Sequence, residues 1–290
     1  MRGIEALAQQ TRVLLVLGRI SNLPTVWSNC LAAWLLGGGG TWGRFGLLCL
    51  GATLLYVGGM FLNDAFDVAF DRQYRAERPI VAGQVSRRFV WIAGALLLTL
   101  GWLATFTLGT KAAAFGALLL FCIVLYNWVH KRTSFAPILM ACCRFLLYFL
   151  AASAAQLGLS QAVVWFALGL FCYIVGLSYF ARVESTRGIV GRWPAVLLFV
   201  PVALALVLAA RHGSRFWITA AAQPLWMCWC LSKGFSAAKR VLSSGVAGLL
   251  AGIPLVDWLA VSCCVSPELF LVFPSLLVIA LILQRVAPAT

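Results

Sequence analysis

Acidic side chains are scarce in this chain: eight Asp and Glu in 290 residues, with two His and only 10% charged residues altogether. So little charge beside 63% hydrophobic residues and a mean hydropathy of +0.97 excludes a water-soluble globular chain. No low-complexity tract and no polar linker divides the sequence, and no sizeable soluble domain fits between the apolar runs. Cys228 and Cys230 lack the spacing and the nearby His of a zinc knuckle. The ten cysteines nearly all fall inside apolar runs and read as small core hydrophobes, not as a disulfide framework. The net charge of +14 would suggest nucleic acid in a soluble protein. Here membrane topology and phosphate-rich surroundings account for it, and no nucleic-acid partner is expected.

What is present is a series of apolar stretches, at about 13–36, 45–67, 89–108, 112–128, 137–157, 162–181, 194–210, 216–231, 246–263 and 269–283. A helical span needs about 20 such residues. The fold expected is all-α, a polytopic membrane bundle of nine or ten transmembrane helices forming one domain over 1–290. Gly252 and Pro254 mark the ninth stretch as a broken segment, and only Ser266-Pro267 separates it from the tenth. Arg2 and Arg12 ahead of an apolar run resemble a signal peptide, but the run continues to Leu36 without a cleavage pattern, so 13–36 is read as a retained first span. With the amino terminus inside, alternate connections collect 17 of the 22 Lys and Arg on one side and four on the other, Arg144 lying within a span. The positive-inside rule then places the amino terminus and the longer polar loops in the cytoplasm, as in a multi-pass protein of a bacterial inner membrane or its equivalent.

Half of the acidic residues, Asp64, Asp67, Asp71 and Glu77, fall within fourteen positions of one another. Asn63, Asp64, Asp67 and Asp71 fall within about 100° of arc on a helix, at the cytoplasmic end of the second span. Carboxylates crowded at membrane depth repel one another unless a cation offsets them. Oxygen donors of this type suit Mg²⁺, which shares its coordination with waters and substrate phosphates. Arg72, Arg75 and Arg78 follow at once, so metal-bridged and guanidinium contacts could together grip a diphosphate. The other reading is a solvated helix end whose acids pair with those same arginines.

Asn63-Asp64-Ala65-Phe66-Asp67-Val68-Ala69-Phe70-Asp71, followed by Arg78-Pro79-Ile80 and Gly83, closely resembles the first aspartate-rich motif of the UbiA superfamily of intramembrane prenyltransferases. Arg19 with Pro24 resembles that family's opening motif, and Tyr126 with Lys131, Arg132 and Thr133 its loop after span four. The resemblance implies the family's helical bundle throughout. It also implies Mg²⁺-dependent transfer of an isoprenyl group from a prenyl diphosphate to a lipid, aromatic or alcohol acceptor. Carried over, Asn63, Asp67 and Asp71 become metal ligands and Asp64 a supporting acid. Arg19, Arg72, Arg78, Lys131, Arg132 and Arg182 become diphosphate contacts, and Tyr126 a shield for the allylic cation.

The second aspartate-rich motif departs from the pattern. Counting back from Gly188, Glu184 fills one expected acidic position, and Phe180 stands at the other. Either Glu184 alone holds a second Mg²⁺, or Arg182 and Arg187 replace part of its charge, or transfer has been lost; a retained diphosphate site with altered metal dependence is the reading favoured. Arg144, a charge inside a span, is a candidate for the acceptor or diphosphate, or a structural group bound to helix carbonyls. Asp257, Gln156 and Gln223 admit the same two readings, with the structural one ahead, and His130 and His212 are expected at the membrane interface. The rival function is a transport-type or non-catalytic protein that binds an isoprenoid or anionic lipid in the same cavity.

Overall fold

The computed structural model describes the backbone of residues 2–186, 193–208, 213–234 and 239–287, and the side chains of 7–182, 193–208, 213–233 and 244–287. Among the described residues there is no strand. The helices are α1 (Arg2–Leu17), α2 (Leu23–Leu36), α3 (Trp42–Tyr74), α4 (Arg87–Phe106), α5 (Thr110–Val129), α6 (Ala136–Ser153) and α7 (Gln161–Thr186). After them come α8 (Trp193–Leu198), α9 (Val200–Leu208), α10 (Ser214–Gly234), α11 (Lys239–Ala251), α12 (Ile253–Val261), α13 (Pro267–Phe270) and α14 (Val272–Leu283). Six helices among the described residues are long and apolar enough to cross a membrane.

Proline sets the breaks in the apolar runs. Pro201, Pro254 and Pro274 each sit in the first turn of a helix that restarts one residue after another has ended, at Phe199, Gly252 and Leu271. Proline's fixed φ suits a first turn, and its missing N–H forfeits the bond that would have joined the two segments. The break expected at Gly252-Pro254 is therefore present, between α11 and α12.

The first apolar run differs from its expectation. In place of one span over 13–36, α1 ends at Leu17, a 3₁₀ turn occupies Ile20–Asn22, and α2 begins at Leu23. Arg19 makes the break with φ 43° and ψ 52°, the only described non-glycine residue at positive φ. That conformation costs roughly 1–2 kcal/mol for an L-residue, and the contacts of the Arg19 side chain, given below, offset it. At the other end of the motif, α3 does not stop with the apolar stretch near residue 67. It runs on for two further turns to Tyr74, keeping all three aspartates on regular helix.

Close approach of α3 and α4 depends on small residues. A Cβ at Gly101 would stand 2.8 Å from the Leu55 nitrogen and 3.0 Å from the Gly51 oxygen, and one at Gly58 would stand 2.9 Å from the Gly94 oxygen. Backbone cannot yield as a side chain can, so these glycines fix the distance between the two helices. Buried residues from α2, α3, α4, α5, α6, α7, α10, α11 and α12 form one continuous apolar cluster. All ten cysteines are free thiols; Cys30 and Cys230 are buried, whereas Cys228, Cys263 and Cys264 are exposed, so the reading as core residues does not hold for all of them.

Gly101→Val should lower the stability of the purified protein by about 1–3 kcal/mol, the usual cost of overpacking. Gly46→Ala, where nothing lies within 4 Å, should leave it unchanged. Thermal unfolding of both variants in detergent checks this.

Candidate active site

The acids of α3 are buried. Asn63, Asp64, Asp67 and Asp71 are 5%, 3%, 8% and 3% exposed. A solvated helix end would leave them open to water, so that alternative is set aside. Uncompensated charges so placed would cost about 3–5 kcal/mol each, and the surrounding elements supply the compensation.

Arg19, brought in by the break between α1 and α2, donates from Nη2 to Asn63 Oδ1 at 2.9 Å and pairs with Asp64 Oδ1 at 3.3 Å. Its own carbonyl accepts from the Tyr56 hydroxyl at 3.3 Å. Arg78, from the loop after α3, reaches the other oxygen of Asp64 at 3.8 Å. Burial, and then the neighbouring Arg19, push Arg78 below the usual guanidinium range, with Asp64 opposing. Two guanidinium groups thus share one carboxylate. The end of α5 serves Asp67: His130 Nε2 lies 3.1 Å from its Oδ1, and Lys131 Nζ 3.3 Å from its Oδ2. Lys131 also stands 4.0 Å from the centroid of the Phe70 ring, and Tyr126 stacks on His130 with centroids 4.9 Å apart. Asn127 locks α3 to α5, accepting from Asn63 Nδ2 at 3.0 Å and donating to the Gly59 carbonyl at 3.1 Å.

The sequence-derived candidates thus divide. Arg19, Asn63, Asp64, Asp67, Arg78, Tyr126 and Lys131 come together. Asp71 is buried one turn beyond Asp67, and its side chain makes no hydrogen bond or ion pair among the described residues. Arg72 and Arg132 are exposed and likewise unengaged among the described residues. Arg182 donates to the Thr133 carbonyl at 2.9 Å, tying the end of α7 to the loop that carries Lys131. Phe180 is buried in the main apolar cluster. Glu184 lies on α7, but its side chain is outside the described residues, as are Arg187, Gly188 and His212. His130 is a correction: in place of the interface, it occupies the site against Asp67. Asn127 was missed altogether. The available signal was the 126, 127, 130, 131 spacing, which puts polar groups on adjoining turns at the end of an otherwise apolar helix.

Behind the acids an apolar cavity of about 80 Å³ opens between α2, α3, α5 and α6. Val26, Leu55, Gly59 and Ile123 line it, with Tyr126 and Asn127 on the side of the charged cluster and Arg144 also on its wall. Arg144 donates to Asn29 Oδ1 at 2.8 Å and to Thr25 Oγ1 at 2.9 Å, so it binds α2 side chains and not helix carbonyls.

The donor set suits a hard divalent cation. Asp64 Oδ2 is buried without a hydrogen bond, Asp71 is free of protein partners among the described residues, and every donor is oxygen. No group of three His, Cys, Asp or Glu among the described residues is assembled to hold an ion unaided. The fit is therefore to an ion that completes its coordination with a ligand's oxygens.

The model of the UbiA prenyltransferase family matches residues 21–241 of the chain. A mitochondrial 4-hydroxybenzoate polyprenyltransferase of Mus musculus is 39% identical over 119 residues, 40% of this chain and 31% of the relative. A digeranylgeranylglyceryl phosphate synthase of Thermococcus gammatolerans is 32% identical over 116 residues, 37% of this chain and 42% of the relative. The chain thus spans about a third of the length of the curated relatives it matches. A solved structure concerning digeranylgeranylglyceryl phosphate synthase in membranes superposes with a TM-score of 0.64 at 16% identity, covering 87% of this chain and 97% of the other. A UbiA homologue from Archaeoglobus fulgidus bound to GPP and Mg²⁺ does so with a TM-score of 0.54 at 15% identity, covering 95% and 97%. Those two likenesses carry the fold, and the match over most of the chain carries the family: this protein belongs to the UbiA prenyltransferases.

Proposed function

We propose that the protein is a Mg²⁺-dependent intramembrane prenyltransferase that moves an isoprenyl group from its diphosphate to a hydrophobic or amphipathic acceptor. The observation that carries this is the union of buried carboxylates, converging guanidinium and ammonium groups, and an apolar cavity that begins at the same side chains. Asp67 and Asp71, with Asn63 through its remaining lone pair and Glu184 from α7, would hold the metal. Once bound, Mg²⁺ supplies neutralisation of the diphosphate's negative charge.

The chain's own groups do the rest. Arg19, Arg78 and Lys131 bind the diphosphate oxygens and favour departure of the leaving group, as the allylic carbon–oxygen bond breaks with both electrons going to oxygen. The π faces of Tyr126 and its aromatic neighbours stand by the allylic cation, and the apolar cavity wall keeps water from it until the acceptor attacks. The proton displaced from the acceptor passes to an oxygen of the departing diphosphate, which balances the transfer. Arg182, by tethering the end of α7 to the Thr133 carbonyl, keeps the loop bearing Lys131 against Asp67.

For topology, the reading is nine or ten spans in one domain, with the shorter broken helices pairing to cross the bilayer and the amino terminus on the cytoplasmic side of a bacterial inner membrane or its equivalent. The loop arginines and the location of the charged cluster at the end of α3 support it. The transport-type alternative has its own signature, binding of donor without release of diphosphate.

Incubating the purified protein with labelled geranylgeranyl or farnesyl diphosphate, Mg²⁺ and a panel of acceptors tests the activity. Diphosphate release that disappears in Asp67→Ala is the expected outcome; bound donor with no release contradicts it. Among the cations, Arg78→Gln should weaken donor binding by about tenfold or more, the loss of one charge-assisted contact. Arg72→Gln and Arg132→Gln, at exposed and unengaged positions, should each change it by less than about threefold, because screened surface charges contribute little. Titration with a donor analogue measures all three.

A further inference from the structure

A larger cavity, of about 190 Å³, lies at the end of the bundle away from the acids. There α2 ends at Leu36, α7 begins at Gln161, α9 ends at Leu208, α10 begins at Ser214 and α12 ends at Val261. It shares no wall residue with the cavity behind the acids. The space opens where α7 and α9 part. The two helices touch at Gly169, where a Cβ would stand 3.4 Å from Leu204 Cδ1 and 3.4 Å from the Pro201 Cα. Toward the end of the bundle, Phe166 of α7 and Ala205 of α9 line the space together with Phe216 of α10 and Leu259 of α12. Ala162, Leu208, Cys263 and Cys264 are its exposed rim. The same two helices expose Trp165, Leu168, Leu206 and Val207, apolar side chains that meet hydrocarbon in a membrane protein, so the cavity opens on the bilayer.

The wall offers a polar ligand nothing. The Ser262 hydroxyl donates to the Leu259 carbonyl at 2.8 Å and the Cys264 thiol to the Val261 carbonyl at 3.5 Å, so both are spent on the backbone. A cavity of this kind stays dry and takes up apolar molecules. Beside the rim stands one cation. Arg215, in the first turn of α10, donates from Nη1 to the carbonyl of Val265, the residue after Cys264, at 3.2 Å, and lies 5.6 Å from the centroid of the Phe270 ring. That contact uses one of its five N–H donors, and no carboxylate lies within 4.0 Å of it among the described residues. The N-terminal N–H groups of α10 add to the pull on an anion.

We propose that this cavity is a phospholipid site, in which one acyl chain enters from the bilayer past Ala162 and Leu208 and the phosphate rests on Arg215. The chain fills a space that water would fill badly, and so joins α7 and α9 to α12 where the helices themselves do not meet. The exposed Glu268, in the first turn of α13, makes the surroundings of mixed charge, so the phosphate is recognised and the net charge of the headgroup is not.

The test uses the full-length protein, stripped of lipid in detergent, and reads bound lipid by native mass spectrometry. The probes are palmitoyl-oleoyl phosphatidylethanolamine, the diacylglycerol with the same chains, and geranyl diphosphate with Mg²⁺. The wild type should take up one phospholipid and bind it about threefold or more tighter than the diacylglycerol, a difference that Arg215→Gln should remove. Ala205→Phe, which fills the cavity, should weaken both lipids by about tenfold or more, the contact of roughly two buried methylenes. Geranyl diphosphate affinity should stay within about twofold in each variant, which also reports the fold. Should Ala205→Phe fail to fold, Ala162→Trp at the exposed rim should give the same loss. Bound phospholipid should slow maleimide labelling of Cys263 and Cys264 and leave that of Cys228, which is exposed but does not line the cavity, unchanged. Four results overturn the proposal: lipid uptake that survives both alanine variants, diacylglycerol bound as tightly as phospholipid, equal slowing at all three cysteines, or displacement of the phospholipid by geranylgeranyl diphosphate, which would give the cavity to a prenyl tail.

Discussion

Charge buried in a low-dielectric bundle must be compensated, and the arrangement of this protein around α3 follows from that one constraint. Three aspartates on a single helix face, each under 10% exposed, would be untenable alone. The chain answers with cations from three separate segments, Arg19 from the break between α1 and α2, Arg78 from the loop after α3, and Lys131 from the end of α5, with the His130 ring beside Asp67 as well. Each of these segments is shaped to deliver its charge. The left-handed turn at Arg19 interrupts an apolar run that could have continued as helix, and Asn127 locks α5 so that His130 and Lys131, one turn beyond it, meet Asp67.

Much of the bundle was legible because bilayer physics writes itself plainly. Ten apolar runs correspond to helical segments, and the Gly252-Pro254 break was visible since a proline in a new first turn needs no context. The division of 13–36 was not visible. Nothing in Gly-Arg-Ile-Ser-Asn marks a left-handed arginine, because that conformation is held by side chains 44 and 45 residues away. The extension of α3 was legible as far as Asp71, whose spacing from Asn63 is helical, and only the final stretch to Tyr74 carried no such signal.

The site was legible where the spacing itself is the signal. Asn63, Asp64, Asp67 and Asp71 could be put on one face from periodicity, and Arg19, Arg78 and Lys131 followed from the resemblance. The arginines of the 72–88 segment could not be sorted by sequence: Arg78 turns inward and Arg72 outward, a difference set by the turn at 75–83 and not by composition. His130 was assigned to the interface and Asn127 passed over for a similar reason. A lone polar residue at a helix end has many ordinary roles, and only the approach of α3 selects one. Asp257 is the clearest case, because its partners come from α2 and α6.

At the end of α7, Phe180 is packed in the core and Arg182 is spent on the Thr133 carbonyl, so the described groups there add no acid to those of α3. On the proposed reading, Glu184 is the acid α7 contributes, and the metal completes its coordination with its substrate's oxygens. Electron–nuclear spectroscopy on Mn²⁺ in place of Mg²⁺, with and without a non-hydrolysable prenyl thiodiphosphate, measures that dependence directly. The account predicts tight Mn²⁺ binding only when the diphosphate is present, with ³¹P coupling to the ion. Equal affinity without the diphosphate, or bound Mn²⁺ showing no phosphorus coupling, would contradict it.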